Sequence, residues 1–297
     1  MQIKRKPEWL KVRLPSSQEF KHVKGILSNL NLHSICQEAH CPNVTECFNS
    51  GTATFLILGN ICTRHCLYCN VQHGKPEGVD ETEPVRLARA VKELGLQYIV
   101  ITSVTRDDLP DGGSEIFARC VESLQLVIPG CNVEVLIPDF RGNWDALRCV
   151  IDSSPHVINH NLEVVPALFG DLRPQGDYHI SLELLERAHQ YRENKIITKS
   201  GFMVGFGEGW DDILRLLHDL ALVHCEMVTI GQYQQPTRDH WPVIKYYHPD
   251  EFEMIKKKAY EMDFKRVEAG PLVRSSYHAA DVLSIPPLGR EGVYKGS

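Results

Sequence analysis

Six short apolar runs rich in β-branched residues recur between stretches of helical periodicity. This alternation limits what the chain can fold into more than any other feature. The runs are ATFLIL (53–58), YIVITS (98–103), VEVLI (133–137), HVINHN (156–161), GFMVGF (201–206) and MVTIGQ (227–232). Between them, residues 83–95 set Leu87, Ala88, Val91 and Leu94 on one face and end at a glycine. Ser114 is placed to N-cap a helix running to 127. Further helices are expected over 144–151, 182–191, 211–223 and 249–262, the last with proline in its first turn, and KRVEA (265–269) reads as a short strand after it. Strands that alternate with helices pair in parallel through right-handed crossovers. A closed (β/α)8 barrel needs about 250 residues and two more units. Six units predict an α/β fold: a partial (β/α)6 TIM-like barrel, open on one side. The expected organisation is an extension over 1–50, the barrel over 51–235, and a C-terminal helix and tail over 236–297, with the extensions capping the barrel mouth.

The 297 residues are 43% hydrophobic and 24% charged, a composition that excludes a disordered chain. No apolar run approaches the roughly 18–20 residues of a membrane span. The first residues show neither an apolar signal core nor an Arg/Ser-rich presequence, so a cytoplasmic protein made without a cleaved leader is expected. In a reducing compartment the ten cysteines point to metal or redox chemistry rather than to disulfides. Four of them, Cys120, Cys131, Cys149 and Cys225, lie among apolar neighbours and read as buried small hydrophobes. Net charge is −6, but residues 1–24 carry seven basic side chains against two acidic ones. A solvated, partly mobile arm is the plain reading of that segment, and a docking surface for an acidic partner is the alternative. The acidic balance of the whole chain and the lack of a base-stacking motif speak against nucleic acid.

The other six cysteines fall in two triplets. Cys62, Cys66 and Cys69 form CxxxCxxC directly after the first predicted strand, at the strand end where parallel α/β folds gather their chemistry. Structural zinc takes four ligands, usually as paired CxxC motifs. Three thiolates suit a [4Fe–4S] cubane instead, holding three irons and leaving the fourth open to a small molecule. Upstream, Cys36, Cys41 and Cys47 form CxxxxCxxxxxC, and His33 and His40 could complete a zinc site there.

CxxxCxxC after the first strand of a parallel barrel resembles the radical S-adenosylmethionine superfamily. That resemblance implies a cluster whose open iron is chelated by S-adenosylmethionine and a 5′-deoxyadenosyl radical as the reagent. INHNLE (158–163) is similar to the biotin synthase segment that holds the ribose hydroxyls, which nominates Asn161 and Glu163. MVGFGE (203–208) resembles the superfamily's glycine-rich segment beside the adenine, which nominates Gly205 and Gly207. Tyr68, between two cluster cysteines, is placed against the adenine on the same grounds.

The upstream triplet, together with ITSVTRDDLPDGG (101–113), HNLEVVP (160–166), TKSGFMVGFGE (198–208), TIGQYQQP (229–236) and GPLVRSSYHA (270–279), resembles the lipoyl synthase family over nearly the whole chain. The resemblance implies insertion of two sulfur atoms at carbons 6 and 8 of a protein-bound octanoyl-lysine chain. It also implies a second, auxiliary [4Fe–4S] cluster on Cys36, Cys41 and Cys47 that donates the sulfur. In that family a serine oxygen of RSSY closes the auxiliary cluster; the matching residue is Ser276, with Ser275 as the alternative, and Arg274 would stabilise the anion. The implied partners are an octanoylated carrier (a dehydrogenase lipoyl domain or the glycine-cleavage H protein), a reducing electron donor and an iron–sulfur cluster carrier. Arg106, Asp107 and Asp108 read equally as substrate-positioning groups or as a loop held by its own salt bridges. Tyr68 stands where a phenylalanine is expected and His65 where a basic residue is common; neither removes a ligand. The competing readings are a biotin synthase-like sulfur-insertion enzyme, a non-enzymatic iron–sulfur electron carrier and a zinc-bound adaptor.

Overall fold

The computed structural model of the chain describes residues 5–11, 18–35, 52–191, 196–276 and 279. Its centre is an eight-stranded sheet in sequence order. The strands are β1 (His33–Ser34), β2 (Thr52–Ile57), β3 (Tyr98–Ser103), β4 (Asn132–Leu136), β5 (Val157–Asn159), β6 (Ile197–Val204), β7 (Met227–Gln232) and β8 (Arg266–Gly270). β1 joins antiparallel to β2, and every later pairing is parallel. The helices are α1 (Gln18–Asn29), α2 (Glu83–Leu94), α3 (Ser114–Val127), α4 (Trp144–Asp152), α5 (Pro166–Leu172), α6 (Tyr178–Tyr191), α7 (Trp210–Leu222) and α8 (Pro249–Tyr260). The order runs unclosed from β1 to β8, a partial barrel with helices outside.

Strand periodicity of two divides each strand between these layers. Ile99, Ile101, Val133 and Val135 join one outer core with Leu87 and Val91 of α2, Phe117 and Val121 of α3, and Leu147 and Val150 of α4. Val228 and Ile230 join a second with Ile213, Leu216 and Leu217 of α7 and Phe252 and Ile255 of α8. The alternate residues Tyr98, Val100, Val157 and Met227 form a smaller cluster of their own, which Ala279 of the C-terminal tail completes.

The structure extends the six-strand expectation. KRVEA is a full parallel partner of β7, and β1 comes from the N-terminal segment, so the sheet runs beyond residues 51–235 at both ends. β6 starts four residues before the GFMVGF run, because Lys199 faces a carboxylate inside the fold rather than water. α6 starts one turn before 182, where the Asp177 carboxylate accepts from the amides of His179 and Ile180. Ser114 is not the N-cap of α3. Gly113 stands there, and the Asp111 carboxylate accepts from the amides of Gly113 and Glu115 and from the Ser114 hydroxyl. α1 and α5 were not anticipated. α1 gives the basic segment a structured part, with Val23 and Leu27 buried and Lys21 and Lys24 exposed. Cys120, Cys131 and Cys225 are buried as expected, whereas Cys149 is half-buried. Among the described residues, no helix is long and apolar enough to cross a membrane.

Two glycines after β6 differ in what they tolerate. Gly205 and Gly207 have φ of 117° and 116°. A Cβ on Gly205 would lie 2.2 Å from Gln232 Nε2 and 2.8 Å from the Lys245 carbonyl, whereas one on Gly207 meets only Ile244 at 3.5 Å. The Gln232 amide cannot retreat, since it donates to the carbonyls of Val204, Tyr233 and Lys245. Gly205→Ala is therefore expected to cost about 3–4 kcal/mol in urea denaturation, and Gly207→Ala about 1–2, the backbone strain alone.

Candidate active site

β2 ends where Leu58 and Gly59 turn the chain at positive φ. The Leu58 amide donates to the buried Glu83 carboxylate at 2.8 Å, and its carbonyl accepts from Arg106 at 3.2 Å. The loop that follows carries Cys62, Cys66 and Cys69. Thr63 stitches it to the β3 end through its amide and hydroxyl, 3.0 and 2.9 Å from the Thr105 carbonyl. Farther along, Leu67 donates to Leu172 and accepts from Trp241, and the His240 ring donates to the Cys69 carbonyl at 3.0 Å.

The strongest tie is Arg64, between Cys62 and Cys66. Its guanidinium, almost wholly buried, meets Asp107 at 2.7 and 2.9 Å and Asp139 at 2.6 Å through each terminal nitrogen. Burial disfavours that charge, but the two carboxylates outweigh it and raise the Arg64 pKa. Burial alone would lift the Asp139 carboxyl; its bonds to Arg64 instead lower it to about 2. Arg106 pairs with Asp108 and reaches the Glu77 carbonyl. TRDDL thus serves the loop, holding it by ion pairs.

The three cysteines open on a cavity of about 310 Å³ inside the barrel mouth, lined also by Tyr68, Thr102, Leu136, His160, Asn161, Glu163, Arg173, Gly201, Met203, Thr229, Arg274 and Ser275. Asn161 donates to Glu163 at 3.0 Å, and its buried Oδ1 has no protein partner. Glu163 holds a left-handed φ of 68°, kept there by backbone hydrogen bonds to Gly201 and Met203. Burial raises its carboxyl against the pull of Arg173 and Asn161. Arg173 donates to the carbonyls of Asn161 and Leu162 and lies 4.9 Å over the Phe169 ring, leaving a buried Nε without a partner. His160 is neutral: burial, then Arg173, lowers it to about 4, and its Nδ1 faces the Ile137 carbonyl at 2.8 Å.

These residues fit an anionic cluster with a polar ligand. Burial pushes the Cys69 thiol up to about 12 and raises Cys66 despite Arg173 and a Tyr68 hydrogen bond. Without metal the Cys66 and Cys69 thiols stay protonated, and iron is what would turn them into thiolates. Among the described residues, no three histidine, cysteine or acidic side chains converge on a single metal ion. Cluster irons, by contrast, meet one thiolate each.

Comparison with known proteins bears on the same residues. The family model of the radical SAM superfamily matches residues 56–220, and that of the N-terminal domain of lipoyl synthase matches residues 1–41. The chain is 51% identical to the lipoyl synthase of Roseiflexus sp. over 93% of its own length and 91% of that protein's. It is 49% identical to the lipoyl synthase of Caldicellulosiruptor saccharolyticus over 96% and 99%. The chain belongs to the lipoyl synthase family. It is thereby a radical S-adenosylmethionine sulfurtransferase, with a [4Fe–4S] cluster and S-adenosylmethionine as cofactors. Solved structures agree in fold. Methylornithine synthase superposes with a TM-score of 0.53 at 13% identity, over 84% of this chain and 78% of that one. The hydrogenase maturase HydG of Carboxydothermus hydrogenoformans does so with 0.54 at 14%, over 89% and 78%.

Of the nominated residues, Cys62, Cys66, Cys69, Tyr68, Asn161, Glu163 and Arg274 meet at one cavity. Ser275 is on its wall, while Ser276 follows half-buried, its carbonyl accepting from Ala279. Gly205 and Gly207 are not on that wall. Cys36, Cys41, Cys47, His40 and Tyr277 lie outside the described residues. Sequence reading passed over Arg64, Asp139, His160 and Arg173. Arg64 alone carried a signal, a cation between two cluster thiols.

The depressed Asp139 carboxyl sets an acid limit. Its folded value is below the ordinary ~3.9, so its stabilisation is complete above that value and lost as pH falls through about 2. The stability difference between wild type and Asp139→Asn, from urea denaturation, should be flat above pH ~5. It should shrink by about 2–3 kcal/mol between pH ~4 and ~2.

Proposed function

We propose that the chain installs sulfur at carbons 6 and 8 of an octanoyl group amide-linked to a lysine of a lipoyl-carrier protein. The observation that carries this reading is the convergence of the CxxxCxxC thiols, the Asn161–Glu163 pair and the Arg274–Ser275 tail on one cavity. When bound, the cluster and S-adenosylmethionine supply a carbon radical able to take hydrogen from an unactivated carbon. Cys62, Cys66 and Cys69 hold that cluster. The unpartnered Nε of Arg173 is a donor for the cofactor's carboxylate. Glu163 and the free Oδ1 of Asn161 are acceptors for ribose hydroxyls, and Tyr68 borders the base. The walls supplied by Leu136, Met203 and Val273 keep water from the reacting carbons.

The finer assignment gives the auxiliary cluster to Cys36, Cys41 and Cys47, with Ser276 as its oxygen ligand and Ser275 as the alternative. A hard oxygen on iron in a soft sulfur environment is the ligand best suited to leave. Arg274, already anchored to the Val273 carbonyl at 2.7 Å, balances the negative charge. The working partners are an octanoylated lipoyl domain or H protein, an electron donor and a cluster carrier, in a reducing cytoplasm. The exposed Lys21 and Lys24 suit an acidic carrier.

Anaerobic reconstitution of the full chain is expected to give about eight irons per chain, with 5′-deoxyadenosine release dependent on octanoylated carrier. About four irons, or release indifferent to the carrier, would overturn the reading. Ser276→Cys should retain its iron and lose sulfur transfer at least tenfold; full turnover would remove Ser276 as the leaving ligand.

A further inference from the structure

The inward-facing layer just below the cavity is buried, and one sector of it is built of charge. Leu136, Asn161, Gly201, Thr102 and Thr229 line the cavity's deep end, one each from β4, β6, β3 and β7, and Asn161 just past β5. Two residues earlier on the same face of each strand stand Glu134, Asn159, Lys199, Val100 and Met227. At two residues per pleat these lie about 7 Å deeper. All are buried: Glu134, Asn159 and Val100 at 0% exposure, Lys199 at 1% and Met227 at 4%.

The layer has two sectors. Val100 and Met227 pack with Ala279 of the tail in one apolar cluster. In the other sector the Glu134 carboxylate takes Lys199 Nζ at 2.9 and 3.1 Å, Asn159 Nδ2 at 2.7 Å and, from below, the Tyr98 hydroxyl at 2.8 Å. This pair touches none of the cofactor residues proposed above, and the proposed chemistry does not use it. Stability alone gives no reason for such a pair, since buried ion pairs replaced by well-packed apolar side chains often leave stability unchanged or improved. What the pair does is refuse an apolar chain. A methyl group pushed into this layer would have to part a carboxylate from its donors with no water to replace them.

We infer that the Glu134–Lys199 pair, with Asn159, is the end stop that sets how long an acyl chain this barrel accepts. The inference rests on the octanoyl reading given above and names its length gauge. The acyl tail enters from the mouth, passes the cofactor residues, and ends between Leu136, above the ion pair, and Thr229, above Met227 in the adjoining apolar sector. A chain two carbons longer finds no space. A shorter one leaves its end carbons short of the reactive position.

The test measures dissociation constants of hexanoyl-, octanoyl-, decanoyl- and dodecanoyl-lysine peptides on anaerobically reconstituted full-length protein, with circular dichroism to establish folding. Wild type should bind octanoyl at least tenfold tighter than decanoyl. Glu134→Ala with Lys199→Ala removes the stop and should narrow or reverse that ratio by tenfold or more. Thr229→Leu raises the floor without touching the ion pair and should shift preference to hexanoyl. An unchanged length preference in a folded double variant, or in Thr229→Leu, overturns the gauge while leaving the octanoyl reading intact. A wild type that binds no acyl peptide better than free lysine peptide overturns both.

Discussion

Arg64 is the interaction on which the rest of the site depends. A loop bearing three thiols has little reason of its own to hold still, since its apolar content is small and its backbone irregular. One guanidinium joins it to the loops after β3 and β4 through Asp107 and Asp139. Removing one partner from such a buried pair costs about 3–5 kcal/mol, because a charge is left without water or counter-ion. The geometry is therefore close to all-or-none: the three loops sit together or separate together. The Arg64 charge is met by those two carboxylates, and the cation that acts on the thiols is Arg173, which opposes the effect of burial on Cys66.

On the opposite wall the backbone is held under strain. Glu163 adopts a conformation that β-branched or bulky residues rarely visit, at a cost of order 1–3 kcal/mol. Its amide and carbonyl are both tied to β6, at Gly201 and Met203. That tie fixes where the carboxylate points. Gly201 contributes by lacking a side chain, for a Cβ would lie 2.5 Å from Thr229 Oγ1 and 2.9 Å from Asn161 Oδ1. The Asn161 oxygen can face the cavity only because that position is bare.

Most of the fold was legible because apolar runs and helical faces survive in a single sequence. Leu87, Ala88 and Val91 gave α2 and its Gly95 stop, which the structure shows at φ 65°. Legibility failed where a polar residue is satisfied at a distance. Lys199 hid the start of β6, because a lysine reads as solvent-facing until Glu134, from another strand, is beside it. Ser114 was the nearest hydroxyl to the start of α3, but Asp111 reaches farther and accepts more bonds. That Cys62, Cys66 and Cys69 come together was legible from their spacing, a local property. Arg173 was not, because it comes from the end of α5 and only the fold brings it beneath Asn161. The partners of Arg64 were hidden for the same reason: Asp107 and Asp139 belong to different loops.

The tail depends on the barrel in a way its own residues do not reveal. RSSY reads as a polar turn, and nothing in it specifies a docking place. The place is specified by β7. Gly231 lies so close beneath the tail that a Cβ there would stand 2.2 Å from the Val273 carbonyl. Any side chain at that position would lift Val273, and with it Arg274, whose guanidinium also reaches the Gln232 carbonyl at 3.4 Å. Farther on, Ala279 is buried against the barrel's inner apolar sector, a second anchor on the far side of the two serines. The serines are thus held between fixed points. Placing either hydroxyl on a ligand therefore costs little further conformational entropy, since the residues on both sides are already fixed.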